Sequence, residues 1–207
     1  MYRMSGALIM GKIYCIIGKS GTGKDTVLAE LLKNSKLSIT KIVPYTTRPQ
    51  REGEVEGVNY HYVSRFELNQ MEAEGKVIEK RSYNTVHGEW IYFTASNNID
   101  DEKDYIIITT QKALYNFFEY FGVDRVHVIY LTLDNKLRLE RCINRESEQL
   151  NPNYTEVCRR YIADESDFDE DAINGYTNRT IIDTSDSLST YTDAISNVIL
   201  SNKEVIK

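Results

Sequence analysis

One short stretch, Gly18-Lys19-Ser20-Gly21-Thr22-Gly23-Lys24, limits what this chain can fold into more than any other. It has the spacing of a phosphate-binding loop: a glycine, four residues, a glycine and a lysine. The residues before it, Ile13 to Ile17, are an apolar, β-rich run. After it, Val27, Leu28, Leu31 and Leu32 recur at helical spacing from Lys24 onward. The unit is therefore strand, loop, helix. Glycines let successive backbone N–H groups turn inward, and the helix N-terminus adds partial positive charge behind them. Lys24 is placed to neutralise β- and γ-phosphates, and the loop's contacts are expected from Gly18, Ser20, Gly21, Thr22, Gly23 and Lys24. One position departs from the pattern: Asp25 follows the lysine where a magnesium-binding Ser or Thr is usual. Thr26 is the next hydroxyl and the candidate for the phosphate or Mg²⁺ contact. Asp25 in the first turn suits the helix dipole and is read as a cap facing outward, with a direct role as the other reading.

A strand-loop-helix unit calls for partners, and the rest of the chain supplies them. Asp104 to Thr109 and Arg125 to Leu133 are continuous apolar runs separated by a helical stretch, Gln111 to Tyr120. Arg179 to Ile182 is a final strand before a closing helix from Leu188 to Leu200. Strands buried on both faces and linked by helices imply a parallel sheet, hence an α/β fold with helices on both sides of it. The segment Pro44 to Tyr62 is polar and reads as loops and hairpins rather than core. Phe66 to Glu74 reads as a short helix, and Val77 to Tyr83 with Trp90 to Thr94 as a hairpin around His87-Gly88. Asn135 to Arg145 and Thr155 to Ala163 are basic helices, followed by an acidic run, Asp164 to Asp171, read as a solvated face. The whole is expected to be one domain over 1–207, with a core at 10–43, 95–134 and 176–207, an inserted α+β lobe at 44–94 and a helical region at 135–175.

At 207 residues the chain is long enough for one substantial core. A net charge of -6 opposes attraction to polyanions, so neither nucleic acid nor an anionic membrane surface is an expected partner. Any phosphate site must be built locally. Cys15, Cys142 and Cys158 lack metal-site or disulfide spacing, which suits a reducing cytoplasm. The apolar run Ala7 to Met10 is too short for a signal peptide or a membrane span. Met1 to Ile9 is read as a tail, or as an extension ahead of a start at Met10. Oligomeric state stays open between monomer and homodimer.

In Thr46-Thr47-Arg48-Pro49-Gln50-Arg51-Glu52-Gly53-Glu54, two arginines stand three apart in a loop, with Tyr60 beyond. Guanidinium forks bind phosphate oxygens bidentately, so beside a phosphate loop the pair points to a second phosphate-bearing substrate. Here the chain resembles guanylate kinase, whose acceptor lobe carries TTR-x-x-R-x-GE-x-x-G-x-(D/N)-Y, matched from Thr46 to Tyr60. The resemblance implies a P-loop NTPase fold, with 44–94 as an acceptor-binding lobe and 135–175 as a lid, and transfer of the ATP γ-phosphoryl to GMP with Mg²⁺. It implies that Arg48, Arg51 and Tyr60 hold the GMP phosphate and that Glu79 reads guanine. A carboxylate accepts from guanine N1–H and N2–H₂, which adenine does not offer; otherwise Glu79 is an exposed strand residue. The family's Tyr-Gly-Ser/Thr motif fits Tyr92-Phe93-Thr94, with His87-Gly88-Glu89 the competing alignment. Arg141 and Arg145, four apart on one helix face, and Arg160 on the next helix resemble the arginines of the family's lid, which close over the transferred phosphoryl; Arg138 and Arg159 are their neighbours. Phosphoryl transfer needs charge and positioning rather than a covalent nucleophile, which fits the lack of a Ser-His-Asp pattern.

Four residues depart from that family's pattern. Pro44 replaces a serine that contacts guanine, Thr109-Thr110 replaces the aspartates that end the third core strand, and Asp183 stands where asparagine is common. The alternatives to a GMP kinase are therefore a monophosphate kinase of altered base choice (dGMP or another nucleotide) and a binding or scaffold module without turnover.

Overall fold

The computed structural model describes residues 10–85 and 88–204. Met1 to Ile9 and His87, on which readings were made above, lie outside the described residues. The larger sheet has five parallel strands. β1 (Ile13–Ile17) is central, flanked by β7 (Asp104–Ile108) and β8 (Val126–Thr132), with β2 (Ile39–Lys41) and β9 (Arg179–Asp183) at the edges. All five residues of β1 are buried, as a strand covered on both faces must be. Alternate side chains feed two cores. Ile13, Cys15 and Ile17 face Leu114 and Phe117 of α3 (Gln111–Phe121). Tyr14 and Ile16 face α1 (Lys24–Lys33) and α7 (Leu188–Glu204), through Val27, Leu31, Ile195 and Ile199. A three-layer α/β/α stack follows from that alternation.

A second, four-stranded sheet stands over one end of this stack, ordered β4 (His61–Tyr62), β3 (Tyr45–Thr46), β6 (Gly88–Ala95), β5 (Val77–Thr85). Its small core of Tyr45, Leu68, Ile91 and Phe93 is closed by α2 (Arg65–Ala73). Ser64 starts that helix with a capping box, its hydroxyl taking the Glu67 amide while the Glu67 carboxylate takes the Ser64 amide. The expectation that 44–62 lies outside any core is corrected here: Tyr45, Thr46 and Arg48 are buried. Two-residue strands carry no periodicity, so composition alone made the segment look like loop. Two basic helices, α4 (Asn135–Ser147) and α5 (Tyr154–Asp167), and a short α6 (Glu170–Gly175) complete the chain between β8 and β9.

Candidate active site

In an open parallel sheet the crevice lies past the carboxyl ends of the strands, where neighbours connect in opposite directions. β1 sits at that point, between β7 and β8, and the glycine loop leaves its end. Gly21 has φ 86° and passes so close to α4 that a Cβ would lie 2.6 Å from the Arg138 carbonyl oxygen. Gly23, at φ 85°, caps α1 without a side-chain hydrogen bond, so no side chain blocks the helix's first amides. Asp25 and Thr26 are both exposed in the first turn. The Lys24 ammonium donates to the carbonyls of Gly18 at 2.6 Å and Lys19 at 3.1 Å. Burial pushes its pKa down, against the opposing pull of Asp164 and Asp25.

The acidic run that begins in the last turn of α5 is largely a solvated face, with Glu165, Asp167, Asp169, Glu170 and Asp171 exposed, but its first two carboxylates also turn to the loop. Asp164 accepts the Ser20 amide N–H at 2.5 Å, and Glu165 accepts the Lys19 ammonium at 2.9 Å. Both carboxylates also face Arg138, at 3.4 and 3.0 Å. A carboxylate oxygen thus stands in the loop where a phosphate oxygen would be held, drawn by inward N–H groups and neighbouring cations. Arg138, with 1% exposure, ties these pieces together: its Nε donates to the Ser20 carbonyl, and its guanidinium lies 4.8 Å from the centre of the Tyr161 ring. Sequence spacing treated Arg138 as a mere neighbour of Arg141 and Arg145. Its role depends on Ser20, 118 positions away, and on Tyr161, Asp164 and Glu165 of the next helix, which helical periodicity does not register.

Across the crevice, Arg48 is 3% exposed. It forks onto Glu54 with Nη1 and Nη2 at 2.9 and 2.8 Å, and its Nε donates to the Tyr92 hydroxyl at 3.0 Å. Glu54 also accepts the Arg51 amide and the Tyr62 hydroxyl, and the Arg48 fork above all holds its pKa down at about 2. Glu54 belongs to the matched motif but was given no role from sequence; it holds Arg48 in place. Arg51 lies over Trp90, 5.9 Å from the ring.

Glu79 is not an exposed strand residue: it is buried and accepts the Thr94 hydroxyl at 2.8 Å. Thr94 and Tyr92 pair with Glu79 and Arg81 across β5 and β6. A cleft of about 940 Å³ brings both halves together, lined from the loop side by Gly18, Ser20 and Lys24 and from the lobe side by Tyr60, Glu79, Tyr92 and Thr94. Pro44, Thr109 and Thr110 line it too.

Other residues expected at the site, Arg48 and Arg51 among them, lie outside this lining. Arg141 donates to the Thr184 carbonyl at 3.0 Å, and Arg160 pairs with Glu156 at 2.7 Å. Arg145 is exposed, and its charge helps lower the pKa of Lys24. Thr22 is 1% exposed and its hydroxyl donates back to the Lys19 carbonyl, so it shapes the loop.

A glycine loop at the switch point of a parallel sheet, facing an arginine-bearing lobe across one cleft, defines a P-loop NTPase fold. The family model for guanylate kinase matches residues 10–111. A guanylate kinase of Neisseria gonorrhoeae is 39% identical over 90 residues, 44% of this chain and 42% of that protein. One of Anaplasma phagocytophilum is 34% identical over 125 residues, 58% of this chain and 56% of that one. The crystal structure of the Anaplasma phagocytophilum guanylate kinase superposes with a TM-score of 0.61 at 21% identity, covering 94% of this chain and 87% of that chain. A gluconokinase from Sinorhizobium meliloti reaches 0.54 at 11% identity, covering 97% of each, a likeness of fold alone. The sequence matches span less than half the length of the Neisseria relative. The family match covers residues 10–111, 102 of the 207 residues and just under half of the chain.

Proposed function

We propose that this protein is an ATP-dependent guanylate kinase, transferring the γ-phosphoryl of ATP to GMP to give ADP and GDP in the cytoplasm. The observation that carries the reading is the single cleft shared by Lys24 and Ser20 on one wall and Glu79, Tyr60 and Tyr92 on the other. Two phosphate-bearing ligands entering from opposite sides would meet between those walls. The loop suits the ATP phosphates, since its Ser20 amide already takes an anionic oxygen. Mg²⁺ fits as an ion held mainly by phosphate oxygens and water, with the exposed Thr26 hydroxyl as a protein ligand. Its chemistry there is to offset charge on the bridging oxygens. Among the described residues no group of three His, Cys, Asp or Glu is arranged to hold a metal by itself.

In this reading Lys24 exchanges its carbonyl partners for β- and γ-phosphate oxygens. Arg48 and Arg51 hold the GMP phosphate with Tyr60 and Tyr92, and Glu79 receives the base with Thr94 orienting its carboxylate. A GMP phosphate oxygen attacks the γ-phosphorus, the bond from that phosphorus to the β-bridging oxygen breaks, and ADP leaves. Arg141, Arg145 and Arg160 act only if the 135–175 segment closes as a lid over a core formed by 10–43, 95–134 and 176–207, with 44–94 as the acceptor lobe. Closure would exclude water from the phosphoryl group. A scaffold role is disfavoured by the intact loop, and among the described residues no helix is long and apolar enough to cross a membrane.

The test is Lys24→Ala, assayed for ADP release with Mg²⁺-ATP and GMP. Turnover should fall by a factor on the order of 100 or more while circular dichroism stays unchanged. Near-normal turnover would contradict the mechanism.

A further inference from the structure

The base end of the cleft holds a cation that this mechanism leaves unused. The register shift between Val77 and Glu79 puts Glu79 opposite Thr94 and Arg81 opposite Tyr92. Residues two apart share a face, so Glu79 and Arg81 point together into the cleft. The Arg81 Nε stands 3.2 Å from Glu79 Oε2, with side-chain exposures of 37% and 4%. The approach is not a hydrogen bond, and these two atoms are the buried side-chain polar atoms without a hydrogen-bond partner among the described residues. Nη2 reaches Oε1 only at 3.5 Å. A charged donor and a charged acceptor, ion-paired with each other but each keeping one buried atom without a hydrogen bond, line a cavity sized for a ligand. Such groups call for an explanation in a native fold, and a ligand that completes both supplies one.

Resting on the guanylate kinase reading, we propose that Arg81 is a second base-reading residue, donating to the O6 and N7 edge of a 6-oxopurine while Glu79 accepts from N1–H and N2–H₂. Guanine sets two donors beside two acceptors along this edge, and an arginine fork matches O6 and N7. A carboxylate alone satisfies only the donors. Pro44, in the same lining, has no N–H to offer. The Thr94 hydroxyl proton is committed to Glu79, and Lys80 is paired with Glu72. Arg81 is the donor adjacent to the place where O6 falls once N1–H meets Glu79. Adenine would set its 6-amino donor against the guanidinium, so the Glu79–Arg81 pair rejects it from both sides. The donor lost with the family serine at Pro44 is thereby regained from a different strand.

The experiment compares wild type with Arg81→Met and Arg81→Lys at saturating Mg²⁺-ATP. The acceptors are GMP and 2-aminopurine ribonucleoside 5′-monophosphate, which keeps the phosphate and the 2-amino group but lacks the 6-oxo group; the latter is measured as an inhibitor if it is not phosphorylated. Arg81→Met should raise KM for GMP about 10- to 100-fold, with KM for ATP unchanged and no comparable loss for the analogue. Arg81→Lys should recover only part of the GMP affinity, because one ammonium cannot make the paired contact. Equal losses for the two acceptors would assign Arg81 to the phosphate and overturn the proposal. Unchanged GMP affinity in both variants would overturn it as well. Failure of the kinase reading itself would appear in the wild-type protein, as absent GMP turnover.

Discussion

Arg138→Met should destabilise the protein by about 3 kcal/mol. The guanidinium is 1% exposed and serves the Ser20 carbonyl, Asn135, Glu165 and Asp164, while lying over Tyr161. Methionine keeps most of the volume but leaves Asp164, with 17% side-chain exposure, without its cation. Breaking a buried ion pair from one side costs about 3–5 kcal/mol. The lower end applies, because Glu165 is 43% exposed and rehydrates, and because Lys19 still pairs with it. At about 2–4 °C per kcal/mol for a chain of this size, Tm should fall by about 6 to 12 °C, followed by circular dichroism. The double variant Arg138→Met/Asp164→Asn should be less unstable than the two single losses summed, by at least about 1 kcal/mol, since the second change removes a charge already orphaned. A Tm within about 2 °C of wild type would refute the view that Arg138 ties the loop to α4 and α5; strict additivity would refute its coupling to Asp164.

Two further outcomes follow from the electrostatics of Asp164 and His127. Asp164→Ala should lower KM for ATP about 3- to 10-fold, because a carboxylate competing for the Ser20 amide is worth on the order of 1 kcal/mol; steady-state kinetics read this directly, and a raised KM would contradict it. His127 lies against Tyr14 and Thr180, and burial, with a smaller push from Lys12, lowers its pKa to about 4. The unfolded chain binds that proton below about 6.5 and the folded protein does not until about 4, so its contribution to stability is full above 6.5 and lost as pH falls between those values. Urea unfolding at pH 7 and pH 5 should differ by about 2 kcal/mol through this one group, and His127→Gln should remove that part of the slope.

The main sheet was legible because β1, β7 and β8 are buried on both faces and leave unbroken apolar runs. β2 was not, being three half-exposed residues at an edge whose pairing with β7 depends on a partner more than sixty positions away. α6 was missed because it is short and its first two residues end an acidic run that reads as surface. At the candidate site, loop spacing and the paired arginines single out Lys24, Arg48 and Arg51 by type and interval, whereas Glu79 was singled out only through the family resemblance. Arg138 and Asp164 take their roles from neighbours brought in by the tertiary fold, and their own spacing says nothing of it. Glu54 is the intermediate case: its place in the motif was visible, but its four hydrogen bonds were not.

The central claim is acceptor identity, and the most direct measurement is initial-rate ADP release with Mg²⁺-ATP across GMP, dGMP, IMP, AMP, CMP and UMP. A buried carboxylate and an adjacent guanidinium predict that GMP has the highest kcat/KM and that AMP, CMP and UMP fall below it by about two orders of magnitude or more, the discrimination expected when buried polar groups are left unpaired. Equal rates with AMP, or no turnover of any monophosphate by folded, ATP-binding protein, would contradict the account.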